Sequence, residues 1–178
     1  MVKRTAIAIV LSALVVSLFT QSAHAADSEG DVYLMPDVWE GGCTVTYRVD
    51  STANQFTAAT KWATNQVTAV TGIGFTRVAG PADITIMGYP KATIPYEGWD
   101  LVGLWNQEQR SVWVTPVPSW TRRWLILHEL MHGLGSAHSP VKEAVMNGQG
   151  YSVWEGFQQD DLDTLNWIAI ANGCDPNE

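Results

Sequence analysis

The most constraining feature of this 178-residue chain is the segment from His128 to His138, which has the form H-E-x-x-H-x-x-G-x-x-H. On a helix, His128 and His132 lie four residues apart, so both imidazoles project from one face. Gly135 can adopt positive φ without steric cost, which lets the helix end in a sharp turn that brings His138 back. The motif therefore predicts a helix, a tight turn at Gly135, and a short segment that brings His138 back towards His128 and His132.

Three histidines in this arrangement predict one catalytic Zn²⁺ site. Three protein ligands leave one coordination position open, as catalytic rather than structural zinc sites do. Glu129 follows the first ligand, and we interpret it as a general base. The pattern predicts hydrolysis of a peptide bond by Glu129-assisted attack of a zinc-bound water. Five fixed positions arise by chance in a chain of this length only about once in twenty thousand sequences, whereas a lone H-E-x-x-H is a weak signal.

Two other classes of function fit the same residues. One is a zinc hydrolase that acts on a non-peptide amide, and the other is a catalytically silent zinc-binding module. The presence of Glu129 disfavours the silent module, because a structural zinc site needs no base. Nothing in the sequence separates peptides from other amides.

The N-terminus predicts export. Lys3 and Arg4 precede an apolar run over residues 6–19, which is shorter than the roughly 20 residues that span a bilayer. The A-x-A sequence at 23–25 predicts that residues 1–25 are a cleaved signal peptide, with an uncleaved membrane anchor as the alternative. We therefore expect a secreted, extracellular protein that has no membrane association after cleavage.

Charge and histidine content limit the classes of partner and of metal site that the chain can have. The net charge is −8, and loss of a leader with two basic and no acidic residues makes it more negative, which argues against nucleic-acid binding. After cleavage, every remaining histidine belongs to the motif, which excludes a second histidine-based zinc site. We expect a monomer whose partner is a protein or peptide substrate.

Residue periodicity predicts a single α+β domain over residues 43–178, preceded at 26–42 by an N-terminal tail or short propeptide. A loop is predicted at 88–100. The predicted strands cover 44–49, 75–78, 83–87, 101–105 and 111–115, and the predicted helices cover 53–70, the motif, and 155–171.

Two cysteines, Cys43 and Cys174, lie near the ends of this domain. In an exported protein an even cysteine count favours a disulfide. The alternative is that Cys43 coordinates zinc in a latent form.

Beyond the motif, Ser139 directly follows the third histidine, and Ala144-Val145-Met146 comes shortly after it. With these residues the chain resembles the metzincin zinc endopeptidases, most closely the matrixin branch, and the similarity covers roughly residues 43–173. The resemblance implies a twisted mixed five-stranded sheet with three helices and a zinc site in the cleft below the edge strand. It also implies His128, His132 and His138 as zinc ligands, Glu129 as the general base, and Met146 in a tight turn beneath the metal. A short secreted enzyme of this kind suggests a bacterial source.

The resemblance further implies a substrate cleft, in which the edge strand pairs with an extended peptide and the segment after Met146 forms a pocket wall. The implied cleft residues are Leu101, Val102, Gly103, Leu104, Trp105, Asn147, Gly148 and Tyr151. Among the tryptophans, Trp99 and Trp154 are further cleft candidates, whereas Trp62, Trp113 and Trp167 are predicted to pack in the core.

The chain also departs from the family pattern. The cysteine-containing latency motif is absent from residues 26–42, a histidine-rich loop for a second zinc is missing, and Gly148 stands where some related enzymes place a tyrosine ligand. Ca²⁺ binding remains an open alternative without a clear motif. Asp160, Asp161 and Asp163 could hold calcium, but we interpret them as a charged first turn that stabilises the last helix.

Overall fold

The computed structural model describes residues 31–148 and 156–174. The predicted signal peptide, the first residues of the predicted tail, Tyr151 and Trp154 lie outside these ranges. Across the two ranges, every helix is too short or too polar to cross a membrane.

The chain folds in the order β1 (Thr44–Val49), a short 3-10 helix (Ser51–Phe56), α1 (Thr57–Thr71), β2 (Gly74–Arg77), β3 (Ile84–Gly88), β4 (Ile94–Tyr96), β5 (Trp99–Leu101), β6 (Gly103–Asn106), β7 (Ser111–Val114), α2 (Arg122–Leu134) and α3 (Gln159–Ala171). Five strands form one sheet in the order β2-β1-β3-β7-β6, while β4 and β5 form a separate two-stranded sheet.

The main sheet is mixed. Neighbouring strands β2, β1, β3 and β7 run parallel, and β6 is antiparallel to β7 at one edge. A five-stranded mixed sheet with three α-helices confirms the predicted α+β class.

The core lies between the sheet and helices α1 and α2. In β1, Val45, Tyr47 and Val49 alternate towards the interior, as expected of a strand with one buried face. Helix α2 contacts β6 and β7, and α1 contacts β2, α2 and α3. Residues 124–131 of α2 are all buried, so the motif helix runs through the centre of the molecule.

Five sequence predictions need correction. The helix predicted at 53–70 begins as the 3-10 helix, and the last helix begins at Gln159 rather than at 155. The predicted loop 88–100 contains the β4–β5 hairpin, and the edge strand β6 begins at Gly103 because Leu101 belongs to β5. Trp167, predicted to be a core residue, has 43% of its surface exposed.

Cys43 and Cys174 form the predicted disulfide, with 5.4 Å between their Cα atoms. The bond joins the residue before β1 to the segment after α3. A cysteine in a disulfide offers no thiolate to a metal, which removes the latent-ligand alternative for Cys43. Such a bond is typical of proteins that fold in an oxidising compartment.

Candidate metal centre

The three motif histidines converge at the C-terminal end of α2. The helix ends at Gly135, whose φ of 107° turns the chain sharply, so that His138 returns beside His128 and His132. The Nε2 atom of His138 lies 3.1 Å from Nε2 of His132 and 3.3 Å from Nε2 of His128. Nitrogen ligands at about 2.0–2.1 Å from a tetrahedral ion are separated by roughly 3.3 Å, so this spacing fits zinc. The predicted convergence of the three side chains is confirmed.

Backbone carbonyls fix the tautomers of two of these histidines. Nδ1 of His128 lies 2.7 Å from the carbonyl oxygen of Val145, and Nδ1 of His132 lies 2.7 Å from that of Ser136. A carbonyl can only accept a hydrogen bond, so Nδ1 carries the proton and Nε2 presents its lone pair to the cluster. Together with Nε2 of His138 at the same point, these two lone pairs belong to a donor set that suits a cation.

The surroundings keep these imidazoles neutral. Burial lowers the pKa of His128 to about 4 and that of His132 to about 3, and it also lowers the pKa of the more exposed His138. A neutral imidazole is the form that binds a metal, so no ligand must lose a proton near neutral pH.

Glu129 lies directly beside the cluster and is only 5% exposed. Burial raises the pKa of its carboxyl to about 8, while a hydrogen bond from the backbone of Trp105 opposes that rise. A cation bound nearby would favour the charged form of the carboxyl. On the other side, a Cβ added at Gly103 would collide with the Glu129 carboxyl group and with Leu125. Glycine at this position therefore lets the edge strand approach the carboxyl without displacing either side chain.

The turn beneath the cluster is held by α3. Asp161, 1% exposed, accepts hydrogen bonds from the backbone N–H groups of Val145 (2.9 Å), Met146 (3.1 Å) and Gln158 (3.0 Å). Burial raises the pKa of this carboxyl and the three hydrogen bonds oppose the rise. Met146, in the same turn, is 2% exposed. Because the carbonyl of Val145 contacts His128, Asp161 acts on the first histidine through a single residue.

The other two aspartates of α3 also have defined partners. Asp160 accepts a hydrogen bond of 2.7 Å from the hydroxyl of Ser139, and Asp163 accepts one of 2.8 Å from Gln159. From the sequence, all three acids were interpreted as charges in the first turn of a helix, because the sequence shows only that three aspartates lie near a helix start. Within the described ranges, the three histidines are the only group of three or more His, Cys, Asp or Glu residues positioned to hold a metal.

Residues 33–39, which we call the N-terminal strap, run along the turn of the motif. Backbone hydrogen bonds connect Met35 N to Gly135 O (2.7 Å), Trp39 N to Leu134 O (3.0 Å), and Ala137 N to the carbonyl at position 33 (2.9 Å). A Cβ added at Gly135 would lie 2.6 Å from the Cα of the strap residue at position 38. Gly135 is therefore required by close packing as well as by its backbone conformation.

A cleft of about 550 Å³ opens over the histidines and Glu129. Seven of the predicted cleft residues line it, namely Leu101, Val102, Gly103, Leu104, Trp105, Asn147 and Gly148, and so does the candidate Trp99. The eighth, Tyr151, lies outside the described residues. Sequence reasoning missed a further group of lining residues, Met35, Tyr96, Glu97, Asp100, Trp124 and Leu125.

A scan against models of protein families and a search of curated proteins both gave no match to this chain. At the level of fold, the described residues contain what the metzincin resemblance implies: a mixed five-stranded sheet, three helices and a three-histidine cluster.

Proposed function

We propose that this chain is a secreted zinc-dependent endopeptidase. The observation that carries the proposal is the convergence of three Nε2 atoms beside the buried carboxyl of Glu129, at the foot of a cleft with a sheet edge on one side. A silent binding module would have no need for a buried acid next to its metal ligands, since burial of a carboxyl is costly.

The sheet edge supports a peptide as substrate. Among the described residues, strand β6 pairs only with β7, and its residues Gly103 to Trp105 line the cleft. An extended peptide can add to such an edge through backbone hydrogen bonds, which are independent of its side chains. The cleft is lined on different sides by the hairpin, by β6 and by the turn at Asn147 and Gly148.

The side chains around the cluster have distinct tasks in this proposal. When bound, zinc supplies a Lewis acid that polarises a carbonyl group and lowers the pKa of water. Glu129 accepts a proton from the attacking water, whose oxygen bonds to the carbonyl carbon. The C–N bond then breaks, and Glu129 passes the proton to the leaving nitrogen. The N–H of Trp105 orients the carboxyl group for both transfers.

Cleavage of a quenched peptide library by the wild-type protein tests the proposal. Glu129→Gln keeps the shape of the side chain and removes the base, so we expect at least a roughly hundredfold loss of kcat/KM. Glu108→Gln is the matched control, because Glu108 is exposed in the turn between β6 and β7 and does not line the cleft. A chelator should abolish cleavage, and added zinc should restore it.

Two results would contradict this function. Cleavage that survives Glu129→Gln would remove the assigned base. A wild-type protein that binds one zinc ion per chain but cleaves no peptide would favour a non-peptide amide substrate or a binding module.

A further inference from the structure

The β4–β5 hairpin forms a wall of the cleft that the sequence did not predict. Its strands pair from Ile94–Leu101 to Tyr96–Trp99, leaving Glu97 and Gly98 as a two-residue turn. Both turn residues have positive φ, 48° at Glu97 and 88° at Gly98. Turns of this kind favour Asn, Asp or Gly at the first position, so glutamate is a locally unfavourable choice. A residue that is unfavourable for its local backbone conformation is often found at a functional position.

Aromatic rings of the hairpin are open to solvent at the cleft. Trp99 is 74% exposed and Tyr96 is 46% exposed, and both line the cleft. Large rings left uncovered in a cleft wall offer their faces to a ligand. Those faces carry negative charge density, which attracts a cation.

The charged side chains of the hairpin wall have one sign. The described lining of the cleft includes the acidic residues Glu97 and Asp100 on the hairpin and no arginine or lysine. Arg122 and Arg123 on the neighbouring α2 are engaged elsewhere, by Gln55 and by the ring of Trp62 respectively. A negatively charged hairpin wall in a chain of net charge −8 favours a cationic side chain in the ligand.

We propose that the hairpin selects peptides with a lysine or arginine side chain near the scissile bond. The cation pairs with the carboxylate of Glu97 and lies on the ring of Trp99. Glu97 and Trp99 are then specificity-determining residues that take no part in bond cleavage. This inference rests on the proposed endopeptidase function.

The test uses sets of quenched peptides that differ at one position, which carries lysine, norleucine or glutamate. A separate set is made for each position on both sides of the scissile bond. Wild type should cleave the lysine peptide with the highest kcat/KM at one of these positions. Glu97→Gln should lower that value about two- to fivefold and leave the norleucine peptide unchanged, since the site is exposed. Trp99→Ala should reduce the same preference, and Glu97→Lys should reverse it in favour of glutamate.

Two controls accompany these variants. Glu108→Gln should alter none of the three peptides. The lysine preference of wild type should shrink as salt is added, because exposed charges are screened.

Binding provides a readout that is independent of cleavage. The tryptophan fluorescence of the Glu129→Gln protein should report tighter binding of the lysine peptide than of the norleucine peptide. Cleavage without a lysine preference, or a preference that survives both changes at Glu97, would overturn the role of the hairpin and leave the endopeptidase intact. Selective binding of lysine peptides without any cleavage by wild type would preserve the hairpin site and overturn the endopeptidase. If wild type neither cleaved peptides nor bound lysine peptides selectively, the hairpin site and the endopeptidase function would both be overturned.

Discussion

The two sides of the cleft are built differently. The floor, which comprises the motif histidines and the turn at residues 145–146, is largely buried, although His132 is half-buried and His138 is exposed, and it is fixed by hydrogen bonds to His128, His132 and Asp161. The hairpin wall is exposed, and its carboxylate at Asp100 receives one hydrogen bond of 3.3 Å from Thr93. A metal site requires ligands held at fixed distances, whereas selection between side chains tolerates a softer surface. Changes to the floor should therefore affect stability, and changes to the wall should affect substrate choice.

The largest effect is expected for Asp161→Ala. The substitution leaves three backbone N–H groups without this acceptor, those of Val145 and Met146 in the floor and that of Gln158 at the start of α3. Each costs about 1–3 kcal/mol, so we expect a loss of about 5 kcal/mol in the free energy of unfolding. Urea titration would measure it, with Asp163→Ala as the control because Asp163 accepts its hydrogen bond from the Gln159 side chain and not from the turn at residues 145–146. If the two variants were equally stable, the floor would not depend on Asp161.

The next largest effect is expected for zinc binding, which should increase the free energy of unfolding. A ligand present at a thousandfold excess over its Kd adds about 4 kcal/mol to the stability of the folded state. Hydrogen exchange with and without a chelator would locate the effect. We expect faster exchange after chelation in residues 128–147 and unchanged exchange in 94–101, and equal changes in both segments would contradict a difference between floor and wall.

Two glycines with positive φ provide a direct comparison of the regions. At Gly98 in the wall, an added Cβ meets nothing within 4 Å, whereas at Gly135 it meets the strap at 2.6 Å. Gly98→Ala should cost about 1 kcal/mol from backbone strain alone, and Gly135→Ala about 2–3 kcal/mol from strain and overlap. Thermal unfolding would measure both, and zinc affinity should fall only for Gly135→Ala. Equal losses of stability in the two variants would mean that the strap moves away from the added Cβ at little cost.

The smallest effect on stability is expected for Trp99→Ala. Its ring is mostly exposed, so the free energy of unfolding should change by no more than about 0.5 kcal/mol. The same denaturant titration would check this. A loss above about 2 kcal/mol would show that the ring packs as part of the fold and does not serve as an open surface.

Local sequence patterns predicted the parts of the site that depend on local geometry. Helical spacing brings His128 and His132 together, and the positive φ of Gly135 returns His138, so all three were predictable. Strands with clear alternation, such as β1, were predicted in the same way. The cysteine pair was predictable from the even count and the predicted export.

The remaining features depend on contacts between distant parts of the chain. Asp161 contacts Val145, which lies 16 residues away, and its position in α3 suggests only a helix start. The N-terminal strap binds residues about a hundred positions later, which no local pattern reveals. The hairpin was missed because Pro95 and the Glu97-Gly98 turn interrupt any alternation, so the segment has the composition of a loop.

The two ends of the described chain meet beside the disulfide. Asn172, just after α3, donates to the carbonyl of Trp39 at 2.8 Å and accepts from the N–H of Gly42 at 3.0 Å. Trp39 of the strap thus contacts a residue that the ribosome adds 133 positions after it. During synthesis, the strap first meets its partners at residues 134–137, and Asn172 follows only once α3 has been made. The strap and the turn at residues 145–146 therefore lack their contacts to Asn172 and Asp161 until α3 has been synthesised.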